Sequence, residues 1–335
     1  MSTFPLPDVS PRIRLTNRAF LALIVGALVF ASGQAASGDA PGQSTGESHD
    51  KLDAPGGGVS PERSGDEQDF SGHQAGDVRD DNGLNLKLVW CPPGTFTMGS
   101  QSGEDEFRTN EGQVETTLTR GFWIGKYEVT QGEWGQLMET DPSEFSPTGQ
   151  AKYKIFGKST DRFPVESLLV EEAVEFCQRL TQRERTAGRL PTNWSYTLPT
   201  ESQWEYACRA GTTTATAFGD QLGSVNANFK GFVPYNGAKR GPFLFRTTNV
   251  GTYRGNAWGI HDMHGNVWEF CAGWYTDEAR GGIDPQAATS GTYRIGKGGS
   301  WFHDGRYSRS AFRYWIEPEM RQGTVGFRVA VTETK

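Results

Sequence analysis

Three histidines, His261, His264 and His303, fall in the C-terminal third of the chain, the first two only three residues apart. Imidazoles brought together from a turn and a loop suit a transition metal, and Asp304 and Cys271 are near them in sequence. An i, i+3 pair is a weak pattern, however, because surface and hydrogen-bonded histidines are far commoner. Arg306, Arg309, Arg313 and Arg321 are interleaved with Tyr307, Tyr314 and Trp315. Guanidinium groups among rings favour planar acids, sulfates or a peptide carboxylate; the same arginines equally serve to brace irregular loops through backbone carbonyls. Ser308 and Ser310 lie in this stretch, but no base and orienter for a serine nucleophile can be placed beside them. Gly42-Gln43-Ser44-Thr45-Gly46 has the form of a nucleophile elbow without the strand before it or the helix after it.

These residues sit in a chain of 335 residues with a net charge of −7, 43 glycines and 35 % hydrophobic residues. The acidic balance argues against a nucleic-acid partner, which needs a basic footprint to displace counterions. Residues 1–35 carry Arg12, Arg14 and Arg18, the apolar run Ala19 to Phe30, and small residues around Gly33 and Ala35. That layout reads as an export signal, with a retained N-terminal anchor as the alternative and the only expected tie to a membrane. Residues 36–83 are Gly, Ser, Asp, Glu and Pro with few large apolar residues, and read as a disordered tether. Every Trp and Tyr lies beyond Leu84, so residues 84–335 are expected to form the folded domain. A secreted, periplasmic or cell-surface location follows.

Three short helices are expected to position the domain's chemistry. Thr130 and Glu133 form a capping box ahead of Trp134, Leu137 and Met138. Val170, Ala173, Val174, Cys177 and Leu180 make an apolar stripe that fades before Gly188. Thr200 and Gln203 form a second capping box ahead of Trp204, Ala207 and Cys208, with Gly211 as the stop. Leu86 to Met98, Gly121 to Val129, Gly296 to Phe302 and Val325 to Val331 read as strands. Residues 211–259 show no sustained period, so side-chain networks or bound ions must hold them. The class is α+β with low regular content.

The segments Val89-Trp90-Cys91-Pro92-Pro93-Gly94-Thr95-Phe96-Thr97-Met98-Gly99-Ser100, Tyr127-Glu128-Val129-Thr130, Leu198-Pro199-Thr200-Glu201 with Trp204-Glu205-Tyr206-Ala207, Asp262-Met263-His264-Gly265-Asn266-Val267-Trp268-Glu269, Gly298-Gly299-Ser300-Trp301 and Gly326-Phe327-Arg328 occur in this order. Together they resemble the formylglycine-generating enzyme family, the sulfatase-modifying factors. The resemblance implies that family's fold, which is related to the C-type lectins. Enzymes of the family oxidise a cysteine in an unfolded sulfatase segment to formylglycine, using O2 and a copper ion held by a pair of cysteines in the loop after Gly-Gly-Ser. Here that loop, Trp301 to Ser310, contains no cysteine, and none occurs after Cys271. Copper is therefore not expected.

The resemblance further implies Ca2+ at the 262–269 turn, through the Asp262 side chain, the Gly265 and Val267 carbonyls and the Glu269 carboxylate. Hard oxygens from a tight glycine-containing turn suit that ion, although Asp262 and Glu269 could instead simply hydrogen-bond the turn. A second family calcium site would use Asn228 and the Phe229 carbonyl, but its carboxylate position falls near Pro242. The cysteines that this family tends to pair with Cys177 and Cys208 would lie near Ser310 and Val329, which leaves free thiols or pairs among the four cysteines. The family's groove for an extended segment is bordered by the Trp268 and Ser300 positions, with His303 and Arg306 as neighbours. The leading expectation is a non-oxidase binding or accessory module for an extended peptide, protein or glycan-like ligand. Formylglycine generation by unusual chemistry, an iron- or copper-dependent oxidation at the three histidines, and a purely structural surface protein are the rivals.

Overall fold

The computed structural model describes residues 70–334, and the expected signal and most of the tether fall outside them. The first elements, β1 (Val78–Arg79), β2 (Leu88–Cys91) and β3 (Gly94–Met98), already correct one boundary. Residues 70–83 belong to the fold rather than to a tether beginning at Ala36. Phe70 is buried, its carbonyl accepts from Trp123 Nε1 at 2.8 Å, and β1 pairs antiparallel with β2. One large ring and a short edge pairing were enough to order a stretch whose composition is otherwise polar. The segment Leu86 to Met98, expected as strand, is divided into two, because Pro92 and Pro93 supply no amide to a ladder.

The chain continues through β4 (Val114–Leu118), β5 (Phe122–Gly125), α1 (Gln131–Met138), α2 (Val170–Thr186), β6 (Trp194–Thr197) and α3 (Glu201–Arg209). After a long irregular region come β7 (Trp268–Trp274), β8 (Gly282–Ile283), β9 (Arg294–Lys297), β10 (Tyr314–Ile316), β11 (Val325–Gly326) and β12 (Ala330–Glu333). One sheet has the order β1-β2-β5-β12-β6, a second β10-β9-β7-β11, and a third β3-β4-β8. The first is buried on both faces. Leu88 and Trp90 of β2 join the core under α2, whereas Val89 and Cys91 face the core that holds Trp204 and Cys208 of α3. A strand covered on both sides reads as a continuous apolar run, which is why its period was invisible.

The three helices occur where their caps place them. The hydroxyls of Thr130 and Thr200 accept from the amides of Glu133 and Gln203, and the latter side chains return a bond to the cap amides. In α2 the buried stripe runs through Phe176, while Val174 is 40 % exposed, so the stripe is rotated from the expected one. Ala210, not Gly211, takes the first left-handed position after α3. Residues 211–259 contain no helix or strand of their own, as their composition implied.

Candidate functional site

The turn at 262–269 is built by a polar core that the individual motifs do not announce. Asn266 donates through its side chain to Glu128 Oε2 at 2.8 Å and through its backbone to the Asn228 carbonyl at 2.7 Å. Its Oδ1 accepts from Asn228 Nδ2 and from the Thr248 amide. The Val267 amide donates to Glu128 Oε1. Gly265 has φ +150°, and a Cβ there would stand 2.4 Å from the Asn228 carbonyl oxygen, so only glycine closes the turn. Thus an asparagine and a buried glutamate pin the irregular 211–259 region to the turn, with Glu128 supplied by the Tyr127-Glu128-Val129-Thr130 motif.

Glu269 is the second residue of β7, next to Trp268, and is fully buried. Arg328 donates to both of its oxygens, and Trp204 Nε1 donates to Oε2 at 2.6 Å. Arg328, also fully buried, spends its remaining donors on the carbonyls of Gly125 and His261. Asp262 accepts from the Gly251 amide at 2.6 Å, and burial raises its carboxyl to about 6. Burial also holds Glu128 well above the usual carboxylate range, reinforced by the charges of Asp262 and Glu269. Three acids share one buried guanidinium here, and protonation relieves the excess negative charge.

This arrangement bears directly on calcium. Ca2+ takes six to eight oxygens, including open carboxylates. Glu269 has both oxygens committed to Arg328 and Trp204, so the Asp262, Gly265, Val267 and Glu269 set does not fit the ion as arranged. Asn228 differs: its Oδ1 is buried and has no hydrogen-bond partner. The carboxylate position that the resemblance implies for this site falls near Pro242. Among the described residues no group of three or more His, Cys, Asp or Glu side chains is arranged to hold a metal ion.

The three histidines do not converge. His264 lies in the interior, its Nδ1 at 2.8 Å from the Ser308 carbonyl and its Nε2 accepting from the Ala217 amide at 3.0 Å. Both ring nitrogens are therefore spoken for, and burial lowers its pKa to about 4. His261 bonds the Tyr253 carbonyl at 2.7 Å and packs on Tyr127. His303 lies within the loop after Gly-Gly-Ser, which His264 touches only through the Ser308 carbonyl. The expectation of a three-imidazole metal site fails because each ring was recruited to tie down a different irregular segment.

Around His303 the loop forms an aromatic shelf. Ser300 Oγ lies 2.7 Å and Trp268 Nε1 3.2 Å from His303 Nδ1. Desolvation lowers the His303 pKa to about 4, so the ring is neutral and accepts at Nδ1. Tyr314 stacks on Trp268 with ring centroids 4.5 Å apart, Trp315 continues the stack at 6.0 Å, and Tyr307 meets His303 edge-on at 5.5 Å. Trp268 and Ser300 are themselves fully buried. They underlie the shelf instead of bordering a groove, because β10 lays Tyr314 over Trp268. The surface is carried by Tyr307, Tyr314, Trp315 and His303, with Arg306 at its rim.

Arg306 is half-exposed and pairs with Glu106 at 3.2 Å. Arg309 is fully buried between Glu104 at 2.9 Å and Glu111 at 2.7 Å. Arg313 is buried against Glu201, and Arg321 pairs with Glu172 and the Ser167 carbonyl. These three brace loops. The four cysteines are free and buried, and burial pushes the Cys208 thiol up to about 12 and the others higher. The larger clefts lie away from the shelf. One of about 440 Å³ runs beside Glu104, Thr214, Asp220 and Tyr235, one of about 380 Å³ beside Gln178, Arg185 and Tyr196, and one of about 260 Å³ beside Arg120, Gln203, Asp284 and Thr332.

Residues 75–333 match the model of the sulfatase-modifying factor enzyme 1-like domain. The chain belongs to the sulfatase-modifying factor family. A formylglycine-generating enzyme of Streptomyces coelicolor is 37 % identical over 279 residues, covering 72 % of this chain and 88 % of that one. A chaperone protein, LppX of Paenibacillus barcinonensis, is 30 % identical, covering 64 % of this chain and 78 % of that one. The serine/threonine-protein kinase pkn1 of Chlamydia caviae is 27 % identical over 74 % of this chain, which spans only 38 % of that longer protein. Among solved structures, PvdO from Pseudomonas aeruginosa superposes with a TM-score of 0.63 at 24 % identity, covering 78 % of this chain and 99 % of PvdO. The Treponema denticola variable protein 1 gives 0.58 at 23 %, covering 73 % and 94 %. At such identities the structural likeness establishes the family's α+β fold alone.

Glu128, Asn266 and Arg328 are the site residues that residue-by-residue reading passed over. Glu128, Asn266 and Arg328 stood inside the very motifs that carried the resemblance, so they could have been singled out as charged and polar residues in otherwise apolar strings.

Proposed function

We propose that this family member is an exported, non-oxidase binding or accessory module, whose extended peptide or glycan-like ligand lies across the shelf of Tyr307, Tyr314, Trp315 and His303. One observation carries the reading. A thiolate pair is the donor set that copper-based cysteine oxidation requires, and the loop after Ser300 offers an imidazole, hydroxyls and rings instead, while all four thiols are buried elsewhere. Stacked rings beside a guanidinium suit a planar or extended ligand. Relatives named as a chaperone and as a kinase, beside formylglycine-generating enzymes, support a scaffold that serves more than one task. Export rests on the layout of residues 1–35.

The test is an assay on a sulfatase-derived cysteine peptide with O2 and copper, together with the metal content of the purified protein. The expected outcome is unmodified peptide. An aldehyde product would overturn the reading. A ligand found by peptide or glycan array should then lose at least tenfold in affinity to Trp315→Ala, whose ring is 47 % exposed and whose removal leaves the core untouched.

Calcium narrows to the unpartnered oxygen of Asn228. If the ion binds there, the rise in melting temperature on adding it disappears in Asn228→Ala. A rise that survives this change and vanishes in Glu269→Gln would put the ion at the turn instead.

A further inference from the structure

Two segments of this acidic protein carry lysine and arginine without a single acid. Residues 145–160 contain Lys152, Lys154 and Lys158, and residues 221–246 contain Lys230, Lys239, Arg240 and Arg246. Among the described residues, Lys152, Lys154, Lys158, Lys239, Arg240 and Arg246 enter no ion pair, and only Lys230 does, with Asp304 at 3.2 Å. The same segments expose aromatic rings: Phe156 is 93 % exposed, Tyr153 72 %, Phe245 55 % and Phe232 47 %. Large rings left in water on both segments need an occupant.

The two segments form one face. Lys154 Nζ lies 5.5 Å from the Trp301 ring, and Ile155 packs with Trp301 and Phe145 in one small core. Phe243 stacks on Trp301 at 6.1 Å, and Phe245, Phe232 and Phe302 surround Phe243 at 3.9, 5.8 and 6.5 Å. Lys230 Nζ is 5.4 Å from the Phe232 ring, and the Gly241 amide bonds the Gly231 carbonyl, which brings Lys239 and Arg240 alongside. The clefts described above are lined by none of these rings. Phe156 stands on a turn completed by Gly157 at φ +72°, so it protrudes and does not line a groove.

Protruding rings ringed by unpaired lysines match a soft anionic surface better than a preformed partner, whose own side chains would need pockets to enter. We propose that residues 152–158 and 230–246 dock the domain peripherally onto an anionic lipid bilayer, with Phe156, Phe232 and Phe245 entering the headgroup layer. Phe302 meets His303 at 5.7 Å, so docking brings the aromatic shelf to the edge of the membrane.

Co-sedimentation of the full chain with vesicles tests this. At 0.1 M salt the protein should bind vesicles of phosphatidylcholine and phosphatidylglycerol (7:3) at least tenfold better than phosphatidylcholine alone, and 0.5 M salt should release it. The variants Lys152→Glu/Phe156→Ser/Lys158→Glu and, separately, Lys239→Glu/Phe245→Ser should each lose at least fivefold with unchanged melting temperature, since all five side chains are exposed. Equal binding to both vesicles, or binding that survives both variants, would assign membrane contact to residues 19–30 and overturn the proposal. So would capture of an acidic, aromatic peptide with no binding to vesicles, which would make the face a protein-docking surface.

Discussion

Arg328 and Glu269 show how much one residue pair holds. Both are fully buried, and the guanidinium also caps two backbone carbonyls from separate segments. Removing one partner strands the other charge, so Arg328→Met should cost about 3–5 kcal/mol, whereas Arg328→Met combined with Glu269→Gln should recover part of it; urea titration measures both. His303 sets a second test. Its folded pKa of about 4 lies below the ordinary 6.5, so the folded state binds its proton later than the unfolded chain does. The stability it contributes is present above pH 6.5 and is lost as pH falls toward 4, by up to about 3 kcal/mol. Asp262 runs the opposite way: raised from 3.8 to about 6, it favours folding at low pH and loses that contribution as pH rises through 6. His303→Asn should therefore flatten the acid limb of the stability curve between pH 6.5 and 4, and Asp262→Asn should flatten the decline between about 4 and 6. An unchanged curve in both variants would sink the assignment of these ionisation states.

At the level of elements, the caps are separable from the site. Thr200→Ala removes the acceptor for the Gln203 amide and should cost about 1 kcal/mol without altering ligand binding, read from urea unfolding and an affinity measurement on the same sample. The helices were legible because capping boxes and apolar stripes are local signals: Thr130, Glu133, Thr200 and Gln203 needed no knowledge of the rest of the chain. Strands were legible only where a motif marked them. Trp194–Thr197 and Tyr314–Ile316 escaped because each is short, and their pairing with β12 and β9 is decided by residues far away in sequence. The candidate site was legible in its parts and not in its layering. The sequence located His303, Trp268 and Ser300 on adjoining segments, but nothing local says that β10 will cover Trp268 with Tyr314 and leave the latter to face solvent.

For the molecule as a whole, the folded unit begins by Phe70, although composition placed its start at Leu84. A chain beginning at residue 84 loses Phe70 with its packing on Trp194, together with Arg79 and the β1 pairing, and should be about 3–5 kcal/mol less stable than one beginning at 70. Equal melting temperatures would return residues 70–83 to the tether. The irregular region from Gly211 to Gly259 is equally a whole-molecule property: its hydrogen bonds reach His264, Asn266, His303, Gly305 and Ser310, far along the chain, so no segment of it is expected to be ordered alone. The strand order β5-β12-β6 carries a further consequence. Residues 330–333 fill an interior slot whose two neighbours lie far earlier in the sequence. The sheet therefore closes at its centre only through contacts of long sequence separation, whose loop-closure entropy must be met before the pairing rewards it, so folding of this sheet is expected to be slow.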